Sequence, residues 1–282
     1  MKAFLFWVIS LALIVTNSSY LQAKDKKSES FHITSNISGE GSCAIVGMSA
    51  EQCQLIALQR ARASAIEQAA GVSVASSTLV TNMALTADFI KTYSKGFIIK
   101  ENVQWLPLDQ YQKDPSTPPI PEYRVMITAD VRVPEPKIKP IGLKAKTNSI
   151  IFKNGDIAVI EISTRREAKI AIFNITADDK VAMVFPNEHD KDNLISKGKK
   201  LVFPDKDTKT ELVMETLTGH KRDAEAFFIA AMDSENSRDF MDTFQSNEPM
   251  TFSAFFKKYS EIADYCEDVI IAYEVVGAED NY

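Results

Sequence analysis

Eight of the eleven prolines in this 282-residue chain fall between Pro107 and Pro140, and no other feature limits the fold as much. Proline fixes its own φ, lacks a backbone donor and pushes its predecessor out of the helical region. The prolines therefore mark two irregular stretches, Pro107–Pro121 and Pro134–Pro140. Pro107 to Pro121 separates two strand-like runs, Phe97–Trp105 and Tyr123–Val133, and reads as a hairpin with a long, stiff, exposed loop. Pro134 to Asn148 reads as a linker, its lysines 137, 139, 144 and 146 being solvated linker charge. The expected organisation is one domain over 24–133 and a second over 149–282.

Residues 1–23 have the succession of an export leader. Lys2 precedes an apolar stretch, Ala3–Val15, broken only by Ser10, and the small Ala23 stands before Lys24. Thirteen helical residues rise only ~20 Å, too little for a ~30 Å hydrocarbon core. No later stretch reaches the ~20 apolar residues of a spanning helix. The expectation is cleavage near Ala23 and a periplasmic or secreted mature chain without a transmembrane helix. In that oxidising setting Cys43 and Cys53 are expected to form a disulfide, two separately buried thiols being the alternative. Cys266 is then the odd one, buried beside the last strand.

The first domain opens with a strand at Phe31–Ser38, followed by Gly39-Glu40-Gly41 as a turn. Ser49 and Gln52 then make a capping box, and Gly71 offers the stop of a helix. Along it Cys53, Ala57, Ala61 and Ala65 form a small-residue stripe that lets the helix lie close to a sheet, with Arg60, Arg62, Glu67 and Gln68 on the wetter side. A second helix is expected over Thr81–Tyr93. The second domain alternates as strands at 156–164, 169–176, 180–185, 200–203, 211–217, 224–232 and 268–276, with a helix at 252–263. The fold class is α+β: a small antiparallel sheet with two helices, then a mostly-β sandwich or partly open barrel carrying one helix. Helix in place of strand at 224–232 is the alternative there.

Two stretches resemble known families. Ala61-Arg62, Gly71-Val72, Phe89-Ile90, Ser94-Lys95-Gly96 and the strand at Tyr123–Val133 resemble the N-terminal domain of flagellar assembly protein T and related exported envelope domains. Phe152-Lys153-Asn154-Gly155-Asp156, Val184-Phe185-Pro186-Asn187, Asn193, Gly198 and Phe203-Pro204 look like the domain of unknown function numbered 4384, over about 150–235. The first resemblance implies a structural role in the cell envelope. The second implies an extracytoplasmic module without an assigned reaction.

A net charge of −6 lacks the basic footprint that phosphate binding needs, which argues against a nucleic-acid partner. His32, His189 and His220 are isolated, and the metalloprotease, serine-hydrolase, nucleotide-loop and C-x-x-C motifs are missing from the sequence. No catalytic residue, metal or cofactor is assigned. The densest polar cluster is Asn187-Glu188-His189-Asp190-Lys191-Asp192-Asn193, with Asp205-Lys206-Asp207 following it. Grouped oxygen donors are what calcium requires, but the EF-hand spacing is missing and Lys191 and Lys206 lower the field. The cluster reads as a solvated turn with Asn187 structural. Any recognition is expected from Asn187, Glu188, Asp190, Asp192, Asp205 and Asp207, which hold the domain's most concentrated exposed polar groups. Phe252, Phe255, Phe256 and Tyr259 have the spacing of one buried helix face; Phe240 and Phe244 are the aromatic pair expected at the surface if any is. The leading expectation is an exported, non-catalytic cell-envelope module that binds an envelope protein or a cell-wall component. The alternative is a periplasmic sensor for a small molecule or divalent cation. A third is an unrecognised exported hydrolase.

Overall fold

The first half is built on a seam between backbones that nearly touch. A computed structural model describes residues 32–71, 89, 92–93, 95–134, 140–208, 210–245 and 248–277. The leader and most of the helix expected at Thr81–Tyr93 lie outside the described residues. Strand β1 (His32–Ala44) runs unbroken through Gly39-Glu40-Gly41, so no turn forms there. Helix α1 (Ala50–Ala70) crosses it with Cys53, Ala57, Ala61 and Ala65 buried. A Cβ at Gly39 would stand 2.1 Å from the Ala61 carbonyl oxygen, and one at Gly41 2.0 Å from that of Ala57. These glycines serve close approach, not chain reversal. The helix ends follow the sequence: Ser49 and Gln52 cap each other's backbone N–H, and Gly71 stops the helix at φ 65°.

Strands β2 (Phe97–Trp105), β3 (Asp109–Tyr111) and β4 (Ile120–Val133) complete an antiparallel sheet ordered β1-β4-β2, with β3 also on β4. Val125, Ile127, Ala129 and Val131 alternate into the face under α1, while Arg124 and Thr128 point to water.

The second half is layered on both faces of one sheet. Its strands are β5 (Lys144–Thr147), β6 (Ile151–Lys153), β7 (Ile157–Ala158), β8 (Ile160–Ser163), β9 (Ala168–Ile175), β10 (Lys180–Phe185) and β11 (Leu194–Ile195). Then come β12 (Lys200–Phe203), β13 (Leu212–Val213), β14 (Arg222–Asp233), β15 (Met250–Thr251) and β16 (Cys266–Val276). The main sheet is ordered β15-β10-β9-β14-β16-β6; β12-β8-β5 and β13-β7 form smaller sheets, and among the described residues no sheet closes into a barrel. β14 is a strand, not a helix, and its apolar run faces two cores. Ala226, Phe228, Ala230 and Met232 enter one; Phe227, Ile229 and Ala231 enter the other. A strand covered on both faces needs no polar alternation.

Helices α2 (Phe240–Thr243) and α3 (Phe252–Ser260) cover one of those faces. Phe252, Phe255, Phe256 and Tyr259 are buried, as their spacing predicts. Phe240 and Phe244, the pair expected at the surface if any is, are buried too, against Phe173, which removes them as candidate binding residues. They lie four residues apart on one turn, so both point inward while their polar neighbours face water. Phe97 of the first sheet stacks on Phe256 and meets Tyr259 edge-on, and Tyr93 meets Phe252 the same way. Side chains from both sides of the 134–148 stretch thus share one core, and residues 31–282 form one compact unit. Lys144–Thr147, expected within the linker, pairs with β8.

Candidate functional site

The side chains of the acidic loops mostly bond to their own turns. Asn187 is buried; its Nδ2 donates to the Val184 carbonyl (2.9 Å), and its Oδ1 accepts from the His189 and Asp190 N–H groups (2.8 Å each). Asp192 Oδ1 accepts from the Leu194 N–H (3.2 Å), and Asp205 Oδ1 from that of Asp207 (3.3 Å). Thr210 Oγ1 donates to Asp190 Oδ2 (2.5 Å), which ties the second loop to the first. Glu188 is exposed beside His189. Such side-chain bonds to nearby N–H groups are how Asn and Asp hold turns. Among the described residues, no three His, Cys, Asp or Glu side chains gather as metal ligands.

A second polar cluster lies deep inside and has no sequence counterpart. Arg62, expected on the wetter side of α1, is 4% exposed. Its Nε and one terminal nitrogen donate to both oxygens of Glu101 (2.9 and 2.8 Å), and the other donates to Asp179 Oδ2 (3.1 Å). Ser253 Oγ donates to Glu101 Oε1 (2.7 Å). Glu101 stands opposite Ala129, on the sheet face under α1, and Asp179 sits in the β9–β10 turn at φ 62°. The cluster therefore joins α1, β2, that turn and α3. Among the described residues, Asp179 Oδ1 and the Tyr93 hydroxyl are buried with no hydrogen-bond partner. Burial pushes Asp179 above its ordinary pKa against the pull of Arg62. Burial also opposes ionisation of Glu101, but the Arg62 and Ser253 bonds hold it below its ordinary value. Partners 39 and 117 residues away in sequence leave no local signal.

Two smaller polar groups flank the other core. His220 Nδ1 lies 2.6 Å from Asp223 Oδ1, whose other oxygen accepts from the Leu217 N–H (2.6 Å). The Tyr273 hydroxyl lies 2.6 Å from both Glu225 Oε2 and Asn174 Oδ1, and burial raises the Glu225 pKa. Both groups brace strand ends.

The surface feature left over is apolar. Ile45 N donates to the Pro121 carbonyl (2.9 Å) and Tyr111 pairs with Ile120, so Val46 and Tyr111 flank the start of β4. Val46 (59%), Trp105 (43%), Leu108 (60%) and Tyr111 (43%) are the exposed large apolar side chains at this end of the sheet. The neighbouring 112–119 loop is built, not loose. Asp114 Oδ1 accepts from both the N–H and hydroxyl of Ser116, and Gln112 Nε2 donates to the Thr117 carbonyl (2.7 Å). A shallow groove of ≈ 180 Å³, lined by Glu40, Ser42, Leu106, Arg124 and Met126, runs alongside.

Residues 151–223 match the family described as Domain of unknown function (DUF4384). The residues that carry the likeness hold turns and core: Phe185 and Phe203 pack at 4.8 Å, Gly155 and Gly198 adopt positive φ, and Asn193 Nδ2 donates to the Ile170 carbonyl (3.1 Å). Comparison with curated proteins finds no match. No helix among the described residues is long and apolar enough to cross a membrane.

Proposed function

We propose that this chain is an exported cell-envelope module that docks a partner protein through the rim of Val46, Trp105, Leu108 and Tyr111. The leader-like residues 1–23 support export. One observation carries the docking role: large apolar and aromatic side chains stay exposed on a sheet end whose adjacent loop is already fixed by its own hydrogen bonds. Large apolar side chains left exposed along one sheet end offer surface of the kind interaction sites use, Trp and Tyr dominate binding energy at such sites, and a fixed surface loses little entropy on docking. In an oxidising compartment, thiol oxidants close the buried, neighbouring Cys43 and Cys53 thiols, taking up their two electrons and two protons, into a disulfide that clamps β1 to α1. Changing Trp105→Ala and Leu108→Ser together should reduce the partner recovered by envelope crosslinking more than about tenfold, with the melting temperature nearly unchanged. Undiminished recovery would contradict the reading.

A further inference from the structure

The small sheet β12-β8-β5 turns one face to the core and the other to water. Ile160 and Ile162 of β8 are buried, so Glu161 and Ser163 point outward, and the residues paired with them share that side. Strand register sets Lys144, Ser163 and Lys200 in one row and Lys146, Glu161 and Val202 in the next. Two residues beyond Ser163, the exposed Arg165 lays its side chain over Gly142, where a Cβ would stand 2.7 Å from it. Lys197 and Lys199, both exposed, flank Gly198 in the turn that enters β12.

This face has the opposite sign to the chain as a whole. Acids outnumber bases 38 to 32 overall, yet the outward residues of the three strands set Lys144, Lys146, Lys200 and Arg165 against Glu161 alone. Lys146 Nζ (3.1 Å) and Lys200 Nζ (3.6 Å) both reach Glu161 Oε2. The carboxylate of Glu267 also reaches the start of β5, where its oxygens accept from the Gly142 and Leu143 N–H groups (2.9 and 3.1 Å). Asp205 and Asp207 follow the end of β12, past Phe203. The bases come from three separate stretches of sequence, so only the strand pairing reveals the cluster.

We propose that this face seats the protein on an anionic lipid surface. Strands ~4.8 Å apart, with alternate residues ~7 Å apart, spread the cations over an area of ~10 Å by ~14 Å. Charges spread in this way meet several headgroups at once. Lysine suits that partner, carrying a compact charge on a flexible stem, whereas bidentate capture of one phosphate calls for a free arginine fork. A bilayer is met by a single patch. A polyanion running along the sheet would continue past Val202 towards the acids of the 205–207 loop.

This inference goes beyond the docking reading and uses none of the rim residues, so either can fail without the other. Residues 24–282, which contain the compact unit 31–282, are floated with vesicles of equal phosphatidylglycerol and phosphatidylcholine, or of phosphatidylcholine alone, in about 50 mM salt. The protein should float with the anionic vesicles only, and should leave them at about 0.5 M salt as the charges are screened. Lys144→Gln, Lys146→Gln and Lys200→Gln together should weaken binding about 100-fold, at roughly fivefold per lysine. The melting temperature should barely move, because all three are exposed. Glu161→Gln, which removes the acid from the face, should tighten binding about fivefold. Lys113→Gln, Lys257→Gln and Lys258→Gln together change the net charge equally but lie on other elements, and should alter binding less than about twofold. Absence of flotation, equal flotation with both vesicles, or equal weakening by the two triple changes overturns the membrane seat. Capture of a single-stranded oligonucleotide through the same three lysines, without flotation, overturns it in favour of a soluble polyanion.

Discussion

The 187–193 loop and the rim at 105–121 are both exposed connections, yet they use their side chains in opposite ways. In the first, Asn187, Asp190 and Asp192 bond to N–H and hydroxyl groups within or beside the loop. In the second, hydrogen bonds fix the loop from Asp114 and Gln112, while Trp105, Leu108 and Tyr111 stay turned to water. A run of charge along the chain is therefore a poor guide to recognition, since tight turns consume carboxylate and amide oxygens internally. Exposed apolar surface has no such internal use.

The contrast extends inward, where polar groups again hold the fold. Arg62→Ala leaves Glu101 and Asp179 buried without their cation and should cost about 3–5 kcal/mol, read as a lower urea midpoint; a loss under 1 kcal/mol would mean water already reaches them. Asn187→Ala removes three hydrogen bonds from a buried amide and should cost about 2 kcal/mol. A neutral result would return that loop to the list of recognition candidates.

Asp179→Asn is subtler. Asparagine tolerates the positive φ and can still accept from Arg62, so stability at pH 7 should hold or rise. The sign of the pH effect follows from the raised folded-state pKa. Asp179 favours the folded state most below its unfolded value, near 3.8, and that contribution is lost as pH rises through the folded value. The variant should lack this decline. Glu101, held low, works the other way: its contribution is present above about 4.5 and lost on acidification, and that acid-side loss should remain in the variant. An unchanged profile would show that Asp179 does not titrate in the junction. Smallest of all, Glu188→Ala and Leu108→Ser should each shift stability by less than about 0.5 kcal/mol, as exposed changes do.

Much of the fold was legible where a local rule decides the outcome. The Ser49–Gln52 box and Gly71 fix both ends of α1, and the 252/255/256/259 spacing fixes the buried face of α3. Gly39 and Gly41 were misleading because glycine marks both turns and close approach, and only the alanine stripe opposite tells the two apart. Arg62 was illegible because its partners belong to other elements. The rim was hidden by its setting, since isolated apolar residues among prolines read as ordinary loop.

The claim that recognition belongs to the apolar rim and not to the acidic loop is tested most directly by a photoreactive residue placed at position 108 or at position 188 in cells. The account predicts a discrete crosslinked product from position 108 that disappears when Trp105→Ala is added, and none from position 188. A product from position 188 that ignores Trp105, with nothing from position 108, would contradict it.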